Sequence, residues 1–582
     1  MTIGTGDAGS GHGRWLVNAA LLVLLAGIAF GLLVPVYTDE IAWRFHERAW
    51  LDGGLDVWLN DICGPNSIAR APAFMLPVRW FSATMNMALA DPLYIRLTGV
   101  ALALALVAAM WRLVGLLEID PARRRLLRAC ACGLLATGYL PQLLVFSRPE
   151  QPLFLAVMGM ALITLTGDWR QRTARQVWLA SLAIVLLSAL ALSYHLKGVL
   201  YAVFALACLA MLAPGTRHWL PRMLASGTIG AMTVVGAAYW SARFACPDNT
   251  VMAAKLEGQN LSAMLQNGHG SAALLVDQIL NSHILTYAWQ GAIHSTPMSA
   301  WLPAGVFSGF EAFASQLLTY VTWSLATVVA ARAVFLALRH GGWAALFEPR
   351  MALLTTMVGI TLVWGVSQIT KNSYEATHML PAWIMVLLLA WTLPAHPARD
   401  TRPDPLVLKR LAVLLLVVAA CSQALVIGRM TGPLLAAAHD PGRLENQPFS
   451  VSLADYASVR RDIARAMHDA DMDGPARLNR PVIDDFTYLA LQRHYLPLHA
   501  LGVMGLWRGP IDDPAAYLVN RGSDGLVVSC ASLWPAARAV ASHAGEICAV
   551  NGAQLALLAG GRQFRPAGAP VGQPAAPTSP HQ

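Results

Sequence analysis

The sequence predicts a mainly helical, multi-pass membrane protein with about eleven transmembrane helices, long loops on one membrane face and a small α/β unit near the C-terminus. Composition is the first reason. Of the 582 residues, 56% are hydrophobic and only 13% are charged, whereas soluble domains carry about 25% charged residues. The mean hydropathy is +0.50. The second reason is a series of apolar runs close to the ~20 residues that a transmembrane helix needs.

Each apolar run is interpreted as one membrane span. The first run is too long for the apolar part of a cleavable signal peptide, and no A-x-A-like site follows it, so it is expected to be a span. The predicted spans cover residues 15–36, 93–117, 127–146, 150–167, 177–196, 198–213, 223–241, 311–338, 351–369, 379–395 and 408–428.

Basic residues predict the orientation, because arginine and lysine collect on the cytoplasmic side of a membrane. Every second connection is basic, so an odd number of spans places the N-terminus in the cytoplasm and the C-terminus in the periplasm, across a bacterial inner membrane. The same residues account for much of the net charge of +8, which therefore does not indicate nucleic-acid binding. They are Arg112, Arg123, Arg124, Arg125, Arg128, Arg170, Arg172, Arg175, Arg217, Arg222, Arg332, Arg339, Arg350, Arg399, Arg402, Lys409 and Arg410.

Three long segments fall on the outer side, and residues 1–430 otherwise form the transmembrane domain. Residues 37–92 contain several tryptophans and a candidate amphipathic helix, which favours a position in the headgroup layer. Residues 241–310 form a second loop. Residues 431–565 are more polar and are predicted to form an α/β domain, whereas the Pro/Ala-rich residues 566–582 are predicted to be disordered.

Within this C-terminal domain the pattern assigns several elements. "SLADYASVRRDIARAMHDAD" is typical of a surface helix, "RPVIDD" and "DGLVVSC" of strands, and "SLWPAARAVASHA" of a helix. "EICAV" and "AQLALLAG" then close a small α/β sheet.

Four cysteines lie outside the predicted spans, and all four fall on the outer side, where disulfides can form. We predict a Cys530–Cys548 pair within the C-terminal domain and a Cys63–Cys246 pair between outer loops. The alternative is four unpaired small residues. Their spacing matches no zinc motif.

Ionisable residues gather at the outer ends of the spans. Such groups are costly at membrane depth and tend to mark function. Asp39 and Glu40 follow the first span in "YTDE". The others are Arg148 and Glu150 in "FSRPEQP", His195 and Lys197 in "SYHLKG", and Lys371, Tyr374, Glu375 and His378 in "KNSYEATHMLPAW".

This set of charges suits the transfer of a sugar from a lipid phosphate to an alcohol. A carboxylate can take the hydroxyl proton as the new bond forms. Cations can stabilise the phosphate that leaves. We therefore predict Asp39 and Glu40 as the catalytic pair, with the donor phosphate bound by Arg148, Lys197, Lys371 and His378. Further site candidates are Glu150, His195, Tyr374 and Glu375.

The layout over residues 15–430, with "YTDE", "SRPEQPLFL" and "YEATHMLPAW", resembles the GT-C superfamily of membrane glycosyltransferases. The resemblance is to the bacterial branch of protein O-mannosyltransferases, lipid A aminoarabinose transferases and rhizobial lipopolysaccharide glycosyltransferases. It implies that Asp39 is the catalytic base and that the donor is a polyprenyl-phosphate sugar. It also implies an inverting transfer to an envelope lipid, glycan or protein.

One motif departs from that family. In "YEATHMLPAW", Thr377 and His378 stand where many members have arginine and tyrosine. The phosphate contact that this segment makes in the family would therefore fall to Lys371 or His378. No cluster has metal-ligand spacing, and no metal site is predicted. Binding of a divalent ion by Asp39 and Glu40 remains an alternative, since some members of that family use one.

Structural interpretations exist for each site residue. Asp39 and Glu40 could cap the next helix, and Arg148 or Lys197 could snorkel to headgroups. Histidines at such positions are often buried without a catalytic role. Asp484 and Asp485 in "VIDDFTY" are more typical of a strand end and a helix cap than of an acceptor or metal contact.

Two other functions remain as alternatives. One is a transporter or flippase of an envelope lipid or glycan, and the other is a non-catalytic assembly scaffold. Transporters usually carry internal repeats and broken helices near the bilayer midplane. This sequence shows no internal repeat, and its charges gather at one surface.

The alternating arginines generate a test of topology. A reporter fused after Asp440 should be active only in a form that works outside the cytoplasm, because the odd number of spans exports the C-terminus. Activity of a cytoplasmic reporter at that position would contradict this orientation and would put the predicted site residues on the wrong side.

Overall fold

The structure is a computed structural model, and it describes part of the chain. That part comprises residues 8–36, 40–41, 44, 71–89, 91–117, 119–138, 140–166, 169–212, 218–244, 331–332, 334–339, 341–343, 349–367, 405–439, 455–473, 480–491, 498–499, 512–520 and 522–560. The predicted span 379–395 and nearly all of the predicted loop 241–310 lie outside these residues, as does most of the predicted span 311–338.

The protein is mainly helical, as predicted. In the described part of the transmembrane domain the helices are α1 (Ala8–Phe30), α2 (Leu76–Ala88), α3 (Pro92–Leu116), α4 (Pro121–Leu135), α5 (Leu140–Leu143), α6 (Glu150–Leu165), α7 (Ala174–Tyr194), α8 (Gly198–Met211), α9 (Trp219–Phe244), α10 (Pro349–Ser367) and α11 (Pro405–His439).

Five helices in the described residues are long and apolar enough to cross a membrane: α1 with the turn that follows it, α3, α7, α9 and α11. All five coincide with predicted spans. Helices α6, α8 and α10 occupy three further predicted spans. The total of eleven spans stays a prediction.

Local sequence signals explain where these helices begin. Asp91 precedes Pro92, and its side chain accepts a hydrogen bond from the backbone N–H of Leu93 at the start of α3. Asp120 precedes Pro121 in the same way and caps α4. Proline at the first helical position loses no hydrogen bond there, because that N–H has no helical partner anyway.

The predicted span 127–146 is wrong as a single helix. Helix α4 ends at Leu135, and the chain turns at Gly138, which has a φ of +54°. Two side chains of α11 replace the missing helical bonds: Ser422 Oγ accepts from Gly138 N–H at 3.0 Å, and Gln423 Nε2 donates to the Ala136 carbonyl at 2.8 Å. The break is therefore stabilised by a distant helix.

A second difference concerns α11, which continues to His439. The last span was predicted to end at residue 428 and the C-terminal domain to begin at residue 431. The longer helix carries the chain beyond the apolar stretch before that domain begins.

The described helices pack into one bundle with a common hydrophobic core. Helices α1, α4 and α11 form one group, and α6, α7, α8 and α9 form another, with α3 packed on α6 and α10 packed on α8. Helix α3 meets the segment after α5 at very short range. A Cβ atom added to Gly99 would lie 1.7 Å from the Val145 carbonyl oxygen, so the two backbones touch.

The described C-terminal residues form a five-stranded sheet. Its strands are β1 (Val482–Ile483), β2 (Leu498–His499), β3 (Gly525–Ser529), β4 (Ser542–Ala544) and β5 (Ile547–Asn551), in the order β2-β1-β3-β5-β4. Strands β2, β1 and β3 are parallel, whereas β5 runs antiparallel to both β3 and β4.

Helices cover both faces of this sheet. Helix α12 (Tyr456–Asp469) packs on one face, near the short helix α13 (Tyr488–Leu491). Helices α14 (Pro514–Asn520), α15 (Pro535–Val540) and α16 (Gly552–Leu558) pack on the other.

Most elements predicted for this region are confirmed: α12, β1, β3, β5 and the helix that begins in "SLWPAARAV". "ASHA" was predicted as the end of that helix, which is wrong. It forms β4, because residues 542–544 pair with β5. The Cys530–Cys548 disulfide is confirmed, with a Cα–Cα distance of 4.9 Å. Cys63 and Cys246 lie outside the described residues.

The C-terminal sheet does not stand apart from the bundle. Val36, Ile41 and Ile95 belong to the same buried hydrophobic cluster as residues of α12 and α13. These three residues mark the α1–α3 end of the bundle, where α1 has just ended and α3 begins. The C-terminal unit therefore packs against that end.

The contact at Gly99 generates a test of folding. Gly99→Ala should destabilise the protein by about 3 kcal/mol or more, because the added methyl group meets a backbone oxygen that cannot rotate away. The readout is the thermal stability and monodisperse yield of the full-length protein in detergent.

Gly227→Ala is the matched control. A Cβ at Gly227 of α9 would meet no atom within 4 Å, and alanine in an exposed helix favours folding by up to about 1 kcal/mol. Equal stability of the two variants would show that α3 and residue 145 do not touch.

Candidate functional site

The described part of the acidic motif centres on Glu40, which forms a buried ion pair with Arg96 of α3. Arg96 Nη2 lies 2.9 Å from Glu40 Oε2, and Arg96 Nη1 donates to Glu40 Oε1 at 3.0 Å. The exposed fractions of the two side chains are 1% for Arg96 and 0% for Glu40. Two parallel bonds give an arginine–carboxylate pair its strongest geometry, and buried ions need such geometry to offset their lost hydration.

Arg96 also binds the chain that leaves α1. Its Nε atom donates to the Val34 carbonyl at 2.8 Å, and Nη2 donates to the Pro35 carbonyl. The guanidinium carbon lies 5.0 Å from the centre of the Phe146 ring. One side chain thus joins the end of α1, the acidic motif and the segment that precedes Ser147.

Ser147 brings the second predicted motif, "SRPE", to the first. Its backbone N–H donates to Glu40 Oε1 at 2.7 Å. Arg44, one helical turn beyond Glu40, donates to Ser147 Oγ at 2.9 Å and to the Glu40 carbonyl at 3.1 Å. The loop after α1 and the loop before α6 are therefore joined by charged hydrogen bonds.

Arg148 and Glu150 form an ion pair within the same turn. The Arg148 Nη2 to Glu150 Oε1 distance is 2.8 Å, and the exposed fractions are 8% and 4%. Arg148 was predicted to bind the donor phosphate. A phosphate there would have to share the guanidinium with Glu150, which already balances its charge. We call Glu40, Arg44, Arg96, Ser147 and the Arg148–Glu150 pair the acid pocket.

His195 and Lys197 lie in a different group, at the turn between α7 and α8. The Lys197 backbone N–H donates to His195 Nδ1 at 3.1 Å. The His195 ring is 6.4 Å from the ring of Trp240 in α9. Arg79 of α2 reaches the same indole, with its guanidinium carbon 5.5 Å from the ring centre. We call Arg79, His195, Lys197, Tyr239 and Trp240 the α7–α8 corner.

The remaining predicted residues lie outside the described part of the chain. They are Asp39, Lys371, Tyr374, Glu375 and His378. The described contacts thus bring together Glu40 and the "SRPE" segment, and they place His195 and Lys197 at the separate α7–α8 corner.

Three cations of these two groups were missed by the sequence analysis. Arg96 lies inside a predicted span, where a charge is itself a signal of function. Arg44 stands four residues after Glu40, the spacing at which side chains meet on a helix. Arg79 stands next to Trp80 in the predicted outer segment 37–92, which is a weaker indication of function.

Metal-ligand geometry is absent from the described residues: no group of three or more His, Cys, Asp or Glu side chains there could hold an ion.

Asp484 in the C-terminal unit has the structural role that the sequence favoured. Its carboxylate accepts the backbone N–H of Ser529 at 2.6 Å and that of Thr487 at 3.2 Å. Burial raises the pKa of the Asp484 carboxyl, and these hydrogen bonds act in the opposite direction.

No protein-family model and no curated protein sequence matches the chain. Solved structures with a similar chain path include ArnT from Cupriavidus metallidurans bound to undecaprenyl phosphate. It is 12% identical with a TM-score of 0.43, over 93% of this chain and 99% of that one. The archaeal oligosaccharyltransferase AglB from Archaeoglobus fulgidus, in complex with an inhibitory peptide and a dolichol-phosphate, is 10% identical with a TM-score of 0.43, over 88% of this chain and 69% of that one.

Both are GT-C superfamily membrane glycosyltransferases. The Archaeoglobus fulgidus oligosaccharyltransferase tethered to an acceptor peptide is similar too, at 8% identity and a TM-score of 0.43, over 89% of this chain and 69% of that one. Similarity at this level transfers no activity and no residue role.

Proposed function

We propose that the protein is a membrane glycosyltransferase that moves a sugar from a polyprenyl-phosphate donor to an envelope lipid, glycan or protein. The observation that supports this most is the junction of "YTDE" with "SRPE", where Glu40 is held by Arg96 and by the Ser147 N–H. The buried ion pair fixes Glu40 against α3 and the segment before α6. Sites that bind or react with a substrate are built on residues held in this way.

Asp39 is the catalytic base in this proposal. Both carboxylate oxygens of Glu40 already accept bonds from buried groups, so Glu40 is poorly placed to take a proton. It acts instead as a positioning residue, because its backbone is fixed next to Asp39. Pre-organised groups act at full strength when reaction begins, since they need not reorient.

The chemical step is a displacement at the anomeric carbon of the sugar. The acceptor hydroxyl oxygen forms the new bond while its proton passes to the Asp39 carboxylate. The bond between the anomeric carbon and the phosphate oxygen breaks, and the electron pair leaves with the lipid phosphate. Cations stabilise that developing charge. The proposed ligands are Lys197, Lys371, His378 and Arg148. Of the two that the structure describes, Arg148 would share its guanidinium with Glu150, and Lys197 lies at the separate α7–α8 corner.

The location follows from the same proposal. The acid pocket faces the periplasm from the bacterial inner membrane, with the N-terminus in the cytoplasm and a periplasmic domain over residues 431–565. Two observations support it: the alternation of arginine-rich connections and the Cys530–Cys548 disulfide, which suits an oxidising compartment.

One feature of the described residues favours the alternative, a transporter or flippase. The break between α4 and α5 resembles the interrupted helices that line transport sites. Its polar groups, however, serve the backbone: Ser422 and Gln423 bind Gly138 and Ala136, and Gln142 bonds to Gln423. They fill the break rather than line an aqueous path.

Asp39→Asn separates these functions. The change keeps the shape of the side chain but removes its basicity, so sugar transfer from a polyprenyl-phosphate donor should fall about a hundredfold to ten-thousandfold. The assay follows transfer by the purified full-length protein, and thermal stability confirms folding. A transporter would retain lipid movement in this variant.

Asp120→Asn is the matched control, because Asp120 is an exposed acid at the start of α4 and asparagine keeps the helix cap. It should transfer sugar at the wild-type rate. Near-normal transfer by Asp39→Asn would remove Asp39 from catalysis. If a folded Glu40→Gln variant lost transfer while Asp39→Asn kept it, Glu40 would be the base and Asp39 the positioning residue.

A further inference from the structure

The end of the bundle opposite the acid pocket carries a group of arginines. Arg96 lies near the start of α3, at the acid pocket, and α3 leads from there to Trp111 near its other end. At about 1.5 Å per residue, these two residues are about 22 Å apart along the helix. Helix α4 follows and carries Arg124, Arg125 and Arg128 on its first two turns. We call these three residues the α4 arginine cluster.

Protein contacts hold two of these guanidinium groups in place. The guanidinium carbon of Arg128 lies 4.4 Å from the centre of the Trp111 ring, a cation–π contact, and its Nη2 donates to the Trp111 carbonyl at 3.4 Å. Arg124 Nη2 donates to the Ile119 carbonyl at 3.1 Å. Both carbonyls accept hydrogen bonds but carry no net charge, so they hold the two guanidinium groups without neutralising them.

Arg125 completes the cluster on the side of α1. A Cβ atom added to Gly13 of α1 would lie 3.5 Å from Arg125 Nε, so this arginine packs along that helix. Within the described residues no carboxylate forms an ion pair with the cluster. Asp120, the acid that precedes α4, is paired with Arg123 at 3.3 Å. The cluster therefore keeps its three positive charges.

The spacing of the cluster brings these charges together. Arg124 and Arg128 are four residues apart on α4, and Arg125 and Arg128 are three apart, so their side chains are neighbours on the helix surface. Like charges at these spacings destabilise a helix. The positive-inside rule explains why arginines lie at this end of the bundle, but it requires neither this spacing nor the contacts that hold the side chains. An anion bound between them offsets the repulsion.

Two neighbouring helices add positive charge to the same end. Helix α11 begins beside α4, because Cys130 Sγ lies 3.9 Å from the Leu408 carbonyl oxygen, and the exposed Lys409 and Arg410 follow directly. Arg14 is exposed near the start of α1, next to the contact that α1 makes with the cluster. An anion that approaches the cluster therefore meets a surface of one sign.

Exposed apolar residues on these helices indicate what kind of anion fits. Trp15 of α1 is 64% exposed, and Leu406 and Val407 at the start of α11 are 51% and 54% exposed. Tryptophan is typical of the boundary between lipid and water. Cations beside exposed apolar side chains match an amphiphile, with its phosphate at the arginines and its acyl chains along the helices. A soluble anion would use the charges alone.

We propose that the α4 arginine cluster binds the phosphate group of an anionic phospholipid at the membrane face opposite the acid pocket. Basic groups between transmembrane helices at the cytoplasmic face bind such headgroups, and this end of the bundle is the predicted cytoplasmic one. The lipid site is independent of the proposed sugar transfer, because the length of α3 separates it from the acid pocket.

The test measures lipid binding by the full-length protein in detergent with native mass spectrometry. One arm adds phosphatidylglycerol, which is anionic, and the other adds phosphatidylethanolamine, which is zwitterionic. The wild type should bind phosphatidylglycerol more tightly. Arg125→Gln should weaken that binding about tenfold, the size expected when one charged hydrogen bond is lost, and should leave phosphatidylethanolamine binding unchanged. Arg125→Lys should lose less, because it keeps the charge.

Arg175→Gln is the charge-matched control, since Arg175 is exposed at the start of α7, on the same predicted side of the membrane but outside the cluster. It should bind both lipids like the wild type, and thermal stability checks that each variant is folded. Equal losses in Arg125→Gln and Arg175→Gln would mean binding by diffuse surface charge and would overturn the site. Unchanged phosphatidylglycerol binding by a folded Arg125→Gln variant would overturn it too. A wild type that binds the two lipids equally would do so without any variant.

Discussion

The ion pair between Glu40 and Arg96 is the contact on which the candidate site depends. Both ions are removed from water, a change that costs several kcal/mol per ion unless geometry restores the lost hydrogen bonds. Here two parallel bonds, the Ser147 N–H and the carbonyls of Val34 and Pro35 restore them. The pair ties the end of α1, the acidic motif and the loop before α6 to the start of α3. Without it, Glu40 would lose its link to α3.

The rest of the α1–α3 end supports this pair. The close contact of Gly99 with Val145 sets the distance between α3 and the segment that ends in Ser147. The cluster that joins Val36, Ile41 and Ile95 to the C-terminal unit covers the same region, which keeps water from the buried charges.

Much of this arrangement could be predicted from the sequence, and the failures have physical causes. Apolar runs predicted the long helices because burial in lipid leaves few alternatives, and the charged ends of spans pointed to Glu40 and the "SRPE" turn. Arg96 was missed because one charge hardly alters the hydropathy of a long apolar run. The break at Gly138 was missed because its partner Ser422 is 284 residues away. Strand β4 was missed because its pairing with β5, rather than its own residues, makes it a strand.

The most direct measurement of the central claim is a double-mutant cycle on unfolding free energy with Glu40→Gln, Arg96→Gln and the double variant. Each single change should cost about 3–5 kcal/mol, because it leaves a buried charge alone, and the double variant should cost well below the sum. Asp120→Asn with Arg123→Gln is the reference cycle, since that pair is partly exposed and should couple by at most about 1 kcal/mol. A Glu40–Arg96 coupling no larger than the reference would contradict the account.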